Sequence, residues 1–273
     1  MTLAGCCHAL RASWSFSSAV PLNVTRIFIA LTGITGYRRK MPDHTVKAFD
    51  ADLANLARMI AEMHEQVEKE LKDAVEALIR NDDKLVRAVL VIDESTATVS
   101  RDIEANVILL IARRQPVAQD LRFIIAVWET AIELNRVSGI ARSIVNRAIA
   151  LSNVHTTPRP AQGLRRITRA ALRRLRDVVN SLVVAADTAK AKHLSVSGYR
   201  MDSVFSSVCR ELLTYMMADP STSPSVIQLL FSAKSIESIG DNATTIADAV
   251  HYFLQGERIS GAAEGLPDTP ISH

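Results

Sequence analysis

The sequence predicts an all-α protein built from two tandem three-helix bundles, and three observations support this. Apolar residues recur every three or four positions after residue 49, which is the spacing of one helix face. No stretch resembles the alternating apolar and polar residues of a half-buried strand. Segment 134–144 also resembles segment 236–246, which indicates an internal duplication. The matching apolar pairs are Leu134 and Ile236, Val137 and Ile239, Ala141 and Ala243, and Ile144 and Ile246.

The composition agrees with a helical bundle. Hydrophobic residues make up 48% of the chain and aromatic residues only 5%, so aliphatic side chains and alanine must supply the packing. A formal net charge of +3 is too small to indicate nucleic-acid binding by itself. The three cysteines show neither a CxxC nor a zinc-type Cys/His spacing. A disulfide framework is therefore not expected, and a reducing cytoplasm is the predicted compartment.

Residues 1–40 have two interpretations. Their longest apolar run, residues 27–34, is far shorter than the ~20 residues needed to span a bilayer. The segment contains Arg and Ser and no acidic residue, which is typical of a targeting peptide. The interpretation we favour is that Met41 is the true start and that residues 1–40 are a non-native or disordered extension.

The first bundle is predicted over residues 41–152. One apolar stripe runs through residues 53–78 and is broken at Asn81-Asp82-Asp83. A second stripe continues to about Arg114. Pro116 suits the first turn of a third helix, where its missing N–H costs nothing, and this helix is expected to run to about Leu151.

The second bundle is predicted over residues 164–256. Pro158, Pro160 and Gly163 mark residues 153–163 as a linker. Three helices follow, at about 164–191, 197–218 and 225–255. Residues 257–273 are rich in Gly and Pro and are predicted to be a disordered tail.

A pair of acidic residues stands in the middle of the last predicted helix. Glu237 and Asp241 are four residues apart and share one helix face, with Gly240 beside them. Like charges at this spacing repel by a few tenths of a kcal/mol. The pair is therefore either a solvated acidic face or a site that holds a cation.

Arginines crowd the start of the fourth predicted helix. Arg165, Arg169 and Arg173 fall on one face, and Arg176 continues it. Cations are disfavoured at a helix N-terminus by the helix dipole, which suggests that a partner compensates. The alternatives are a solvated basic face and a docking surface for an acidic partner or anionic lipid headgroups. No aromatic residues interleave with the arginines to stack bases, so nucleic-acid binding is not predicted.

Several catalytic sites are excluded by missing ligands. The segment His64-Glu65-Gln66-Val67-Glu68 lacks the second histidine of a zinc-protease helix. There is no Glu-x-x-His pair for a ferritin-like di-iron site and no Gly-rich phosphate loop. We therefore predict that the protein is not an enzyme.

Three segments occur in an order that resembles the PhoU family, the regulators that accompany the high-affinity phosphate transporter. They are Arg114-Gln115-Pro116-Val117-Ala118-Gln119-Asp120-Leu121-Arg122, Arg210-Glu211-Leu212-Leu213-Thr214-Tyr215-Met216-Met217, and residues 229–247. The opening at residues 44–50 resembles the start of that family as well. The resemblance covers roughly residues 44–257. It implies a pair of three-helix bundles with acidic motifs that can bind clustered iron or other divalent metals.

The resemblance also implies a function. Such proteins are negative regulators of the phosphate-starvation response and of phosphate uptake. They act as adaptors between the ATPase subunit of the phosphate ABC transporter and a phosphate-sensing histidine kinase. A cytoplasmic homodimer that meets the membrane only through its partners is expected. The alternatives are a metal-homeostasis protein and a peripheral membrane binder that uses the arginine face.

The metal motif of the family is only partly present. Glu237 and Asp241 match it, and Asp202 on the preceding helix matches another acidic position. In the first repeat, Asn135 and Gly139 replace the two motif acids. Hard cations need about six oxygen ligands. The resemblance therefore implies a divalent metal or iron site at the second repeat only, at Asp202, Glu237 and Asp241.

Overall fold

The structure is a computed structural model that describes residues 47–151, 161–184 and 199–259. Within these residues every regular element is helical, which confirms the all-α prediction. The elements are α1 (Lys47–Arg80), α2 (Asp83–Arg114), α3 (Ala118–Ala150), α4 (Ala161–Val184), α5 (Tyr199–Ala218), a 3₁₀ turn (Pro220–Thr222), α6 (Ser223–Glu237) and α7 (Ile239–Gln255).

The first unit consists of α1, α2 and α3, which all pack against one another. Their apolar stripes meet in a core in which Ile60, Leu71 and Ile144 are fully buried. The Asp82 side chain caps α2 by accepting from the N–H groups of Lys84 at 2.8 Å and Leu85 at 3.4 Å. This cap satisfies donors that a helix start otherwise leaves unpaired, so α2 begins where the predicted stripe was broken.

The second unit consists of α4, α5, α6 and α7. The single helix predicted at 225–255 is divided at Ser238. The Ser238 hydroxyl donates to the carbonyl of Ser235 at 2.8 Å, a local bond that competes with the helical ladder. The next residue but one, Gly240, packs so closely that an added Cβ would lie 3.1 Å from Met201 Cγ. The division therefore falls inside the acidic motif and separates Glu237 from Asp241.

The two units pack directly on each other through α1 with α4 and α3 with α7. Phe123 and Phe253 make an edge-to-face contact with ring centroids 5.4 Å apart. Arg122 Nε donates to the Phe253 carbonyl at 3.2 Å. By contrast, α3 and α4, which are consecutive in the chain, make few contacts with each other. The faces of the helices, rather than the connection, position the second unit.

Some predicted boundaries are wrong by a few residues. Helix α4 begins at Ala161, so the last residues of the predicted linker are helical, and Gly163 is buried. Pro116 precedes α3, because the N-cap is Val117. Residues 257–259, predicted to start the tail, are attached, since Arg258 pairs with Glu129 at 2.5 Å and with Asp248 at 2.9 Å.

Other predictions fall outside the described residues. These concern residues 1–40, most of the linker, the end of the fourth predicted helix and the tail after residue 259. Among the helices that the structure describes, none is both long and apolar enough to cross a membrane.

Candidate functional site

The three predicted acidic residues are grouped at one surface of the second unit. Asp202 lies in the first turn of α5, Glu237 ends α6, and Asp241 lies in the first turn of α7. All three act on the same ammonium group, Lys234, whose pKa is raised by a hydrogen bond to Glu237 and then by the charges of Asp241 and Asp202. The structure therefore brings the three acids together around a lysine.

Lys234 supplies a cation to this cluster. Its Nζ donates to Glu237 Oε2 at 2.6 Å and lies 5.3 Å from the centroid of the Phe205 ring. An ammonium group over an aromatic face gains a further attraction from the ring quadrupole. Lys234 is thus held by contacts on both α5 and α6.

The Glu237 carboxyl is the least exposed of the three acids. Burial raises its pKa, and a hydrogen-bonding contact with Asp202 raises it further, while Lys234 opposes both effects. A carboxyl group that faces another carboxyl is more easily protonated, because two adjacent negative charges repel. The cluster is therefore partly neutralised by Lys234 and can accept a proton.

The fit of these residues to a metal ion is poor in this arrangement. In residues 47–151, 161–184 and 199–259, no three His, Cys, Asp or Glu side chains converge so that they could hold a metal. An incoming ion would have to displace Lys234 from Glu237. The Thr245 hydroxyl, four residues after Asp241, donates to the Asp241 backbone carbonyl at 3.2 Å. Metal binding at Asp202, Glu237 and Asp241 stays a prediction.

Arg174 approaches the same surface from the interior. It is buried, and its Nη2 donates to Thr244 Oγ1 at 2.7 Å. Burial lowers the pKa of Arg174, and the nearby Asp241 charge opposes that shift. Asp241 therefore faces a buried cation below it as well as Lys234 beside it.

The predicted arginine face is divided between two roles. Arg165 makes a bidentate pair with Glu76 of α1, with nitrogen–oxygen distances of 2.6 and 2.9 Å, and Arg176 pairs with Glu68 of α1. Arg169 and Arg173 are exposed. Two arginines of this face thus join the units, and Arg165 could reach a partner only by leaving Glu76. Docking by Arg165, Arg169 and Arg173 stays a prediction.

The first repeat uses its remaining polar groups in structural contacts. Ser143 accepts from Arg147 Nη1 at 2.9 Å. Glu133 accepts from Arg136 at 2.6 Å and, through its other oxygen, from Asn242 of α7 at 2.7 Å. The acid that survives beside the first motif therefore links the two units.

Lys234 and Arg174 are absent from the sequence prediction, although each has a recognisable signal. Lys234 precedes Glu237 by three residues, a spacing that allows an ion pair on a helix. Arg174 lies beside the apolar positions Ala171 and Leu175, on the face that packs inward. A charged residue on a buried stripe indicates a specific partner in the interior.

Comparisons with known proteins agree with this architecture. The chain matches the PhoU domain family twice, over residues 60–148 and 164–250. It is 34% identical over 220 residues to a phosphate-specific transport system accessory protein PhoU homolog of Caulobacter vibrioides, covering 81% of this chain and 95% of that protein. The Rhizobium meliloti protein of the same name is 35% identical over 218 residues, covering 80% and 92%.

A solved structure has the same fold. The crystal structure of PhoU from Pseudomonas aeruginosa superposes with a TM-score of 0.69 at 32% sequence identity, covering 77% of this chain and 100% of that one. The two matched segments lie in the two structural units, the first within α1–α3 and the second within α4–α7. The chain belongs to the PhoU family.

Proposed function

We propose that the protein is a regulator of phosphate uptake that represses the phosphate-starvation response when phosphate is plentiful. The observation that supports this most directly is the match of both units to the PhoU domain, together with relatives named as accessory proteins of a phosphate-specific transport system. We further propose that it works as an adaptor between the ATPase subunit of the transporter and a sensor histidine kinase, without enzymatic activity of its own.

The exposed surface of the second unit supports an adaptor. Met217 of α5 is 80% exposed and Phe231 of α6 is 57% exposed, and Leu213 and Ile227 are exposed on the same two helices. These two helices pack against each other, and exposed apolar residues on neighbouring helices offer contacts to a protein partner. A partner that contacts them can shift the kinase only if it binds one state of the assembly more tightly than the other.

The adaptor proposal includes a location and an assembly state. We propose that the protein is cytoplasmic, because the ATPase subunit and the kinase domain are expected on that side of the membrane. A chain without a disulfide framework also suits a reducing compartment. We also propose a homodimer, for which the exposed Val91 and Ile108 of α2 are the candidate apolar contacts. Sedimentation of Val91→Glu/Ile108→Glu should give a monomer if these two residues lie in the dimer contact.

The decisive test is a phosphate-starvation reporter in a deletion strain grown in high phosphate. Deletion should switch the reporter on, and the full chain should switch it off. Met217→Glu/Phe231→Glu should fail to do so, whereas the control Thr214→Glu, on an exposed position of the same helix, should succeed. If the reporter stays off in the deletion strain, the protein does not repress the phosphate-starvation response and the proposed signalling role is wrong.

Metal binding is a second candidate because the structure groups Asp202, Glu237 and Asp241. It predicts stoichiometric iron or another divalent metal in the purified protein, lost in Glu237→Ala/Asp241→Ala. Because Lys234 Nζ lies 2.6 Å from Glu237, Lys234→Ala should strengthen metal binding if the two cations compete. No change in metal content in either variant would exclude this site.

A peripheral membrane role is a third candidate, favoured by the exposed Arg169 and Arg173. It predicts salt-sensitive binding to anionic vesicles that is lost in Arg169→Glu/Arg173→Glu. Equal binding of the variant and the wild-type protein would exclude it.

A further inference from the structure

Four polar side chains from three helices meet inside the first unit. Glu70 comes from α1, Asp93 and Thr96 from α2, and Ser138 from α3. Glu70, Thr96 and Ser138 are 0% exposed and Asp93 is 9% exposed. A buried carboxyl group needs a hydrogen-bond partner or a neutral form, because an unpaired buried charge is very costly. This cluster contains two carboxyl groups in one interior.

The hydrogen bonds at Ser138 require an additional proton. Ser138 Oγ lies 2.7 Å from Glu70 Oε2 and 3.1 Å from Asp93 Oδ1. A hydroxyl group has a single hydrogen and can donate to only one of these oxygens. If both carboxyls were ionised, one acceptor would face another acceptor in a buried site. One carboxyl must therefore hold a proton and donate it to Ser138, while Ser138 donates to the other.

Arg142 decides which carboxyl is ionised. Its Nη1 lies 3.2 Å from Asp93 Oδ2, so Asp93 has a cation beside it. Within residues 47–151, 161–184 and 199–259, Glu70 makes no ion pair, although the more distant Arg142 charge acts on it, and its Oε1 is buried without a well-formed hydrogen bond. The arginines of α4 that reach α1 pair with Glu68 and Glu76 instead of Glu70. The ionised group is accordingly Asp93, and the proton lies on Glu70.

We infer that Glu70 is an internal proton-binding site of the first unit, occupied at neutral pH through its bond to Ser138 and emptied at alkaline pH. Emptying it places two adjacent carboxylates in the bundle interior with only Arg142 to balance them. The three helices that contribute the cluster are then pushed apart. This inference does not depend on the proposed phosphate function.

The titration of Glu70 agrees with this geometry. Burial raises its pKa to about 8, the Asp93 charge adds to the rise, and Ser138, Arg142 and Thr96 oppose it. The folded protein therefore holds the proton over a pH range in which the unfolded chain has released it. Relative to a neutral side chain at this position, stability must fall as the pH rises from about 4.5 to about 8 and then level off.

The second unit provides an internal comparison. Placing residue 60, where the first family match begins, against residue 164, where the second begins, pairs buried Met63 with Ile167 and buried Leu71 with Leu175. In this register Arg174 stands at the position of Glu70. At the position that corresponds to Ser138, the second unit has Gly240, which packs against Met201. In the part of the chain that the structure describes, two carboxyl groups around one serine hydroxyl therefore occur in the first unit.

The first experiment measures thermal stability against pH for wild-type protein, Glu70→Gln and the control Glu94→Gln. Glu70→Gln should be the more stable, and its advantage in Tm over wild type should grow between about pH 5 and pH 8 and then stay constant. Glu94 is exposed on α2, so the control should follow wild type at every pH. A constant difference between Glu70→Gln and wild type across the pH range would overturn the inference.

The second experiment observes the proton itself. Infrared difference spectra of the wild-type protein should contain the carbonyl band of a protonated carboxylic acid at neutral pH, lost with a midpoint near pH 8 and missing in Glu70→Gln. Asp93→Asn removes the neighbouring negative charge and should move the midpoint to lower pH. Carboxyl carbon resonances of the wild-type protein report the same titration if Glu70→Gln does not fold. A wild-type protein with every glutamate ionised at neutral pH would refute the site.

Discussion

The two units share one helical plan and differ in what they bury beside their apolar residues. When residue 60 is placed against residue 164, the buried apolar positions of α1 and α4 coincide, and His64 and Glu70 of the first unit correspond to Thr168 and Arg174 of the second. His64 and Glu70 are buried titratable groups with pKa values shifted to about 4 and about 8. Thr168 does not titrate, and Arg174 extends towards the acidic surface. The duplicated apolar core therefore tolerates different polar interiors, and among the described residues the two large pKa shifts of buried groups belong to the first unit.

The units also differ in their backbone. In the described residues, the non-glycine positions with positive φ are Asn81, Gln115 and Ala118, and all three lie in the first unit. The second unit closes α7 with Gly256 at φ 80°, where glycine meets no steric penalty. The first unit thus contains local strain that is not found in residues 161–184 and 199–259 of the second unit.

The largest expected effect comes from a matched pair of core truncations. Ile144→Ala and Ile246→Ala remove equivalent, fully buried side chains, and each should lower the free energy of unfolding by about 2–5 kcal/mol. Because α3 and α7 pack together, both variants should lower one shared thermal transition. Two separate transitions in calorimetry, each sensitive to only one variant, would show that the units unfold independently.

The next largest effect is the loss of stability at low pH. Burial lowers the pKa of His64 to about 4, helped by Arg176 and Lys72 and opposed by Glu68. Because the folded pKa is below the unfolded value of 6.5, stability is lost as the pH falls from about 6.5 to about 4. His64→Thr, which copies the second unit, should remove about 3 kcal/mol of that loss at pH 4.

Urea unfolding at several pH values measures the acid effect. The half-exposed His251 offers a control, and His251→Thr should keep the wild-type pH dependence. If His64→Thr loses as much unfolding free energy at low pH as the wild-type protein, His64 is not the cause of that loss.

A smaller, stabilising effect is expected at the end of α2. Gln115 adopts φ 48° and ψ 53° while its N–H donates to the Ile111 carbonyl. A left-handed conformation costs a non-glycine residue ~1 kcal/mol, so Gln115→Gly should raise the free energy of unfolding by up to that amount. The control Gln119→Gly, inside α3, should instead lower the free energy of unfolding. If Gln115→Gly also lowers it, Gln115 is not strained.

The smallest expected effect lies between the units. Arg165→Gln removes the bidentate pair with Glu76 and should cost ~0.5 kcal/mol, because the pair is half-exposed and screened by water. The cost should shrink in high salt. Arg169→Gln, whose guanidinium bonds only to the Arg165 carbonyl in the described structure, serves as the matched control. Equal urea midpoints for the two variants in low salt would show that the pair adds no stability.

The helices were predictable because their signal is repeated along the chain. Apolar spacing and the Asn81-Asp82-Asp83 break located α1, α2 and α3 to within a few residues. The division at Ser238 was not predictable from spacing, because the residue keeps right-handed helical dihedral angles and the buried positions continue through it, from Ile236 to Ile239. Periodicity indicates which face is buried, and this division leaves that face unchanged.

The site was predictable in part. The four-residue spacing and the family resemblance identified Glu237, Asp241 and Asp202, which the structure places around one lysine. The spacing of the arginines predicted one face, but it could not separate Arg165, which pairs with α1, from the exposed Arg173. That difference depends on which helix packs beside α4, and a single helix pattern does not contain this information. The inward position of Glu70 was missed because a lone glutamate on an apolar stripe also fits a boundary position.

Because α3 and α4 make few contacts with each other, the covalent connection between them is not what holds the two units together. The second unit is held to the first by the contacts of α1 with α4 and of α3 with α7, so peptide continuity between residues 151 and 161 contributes mainly a high local concentration. If the chain is cleaved at this connection, the two fragments should stay associated in the native fold. Two separately synthesised fragments, ending and beginning there, should find each other and rebuild the native core, with an affinity set by the faces that α3 shares with α7 and α1 shares with α4.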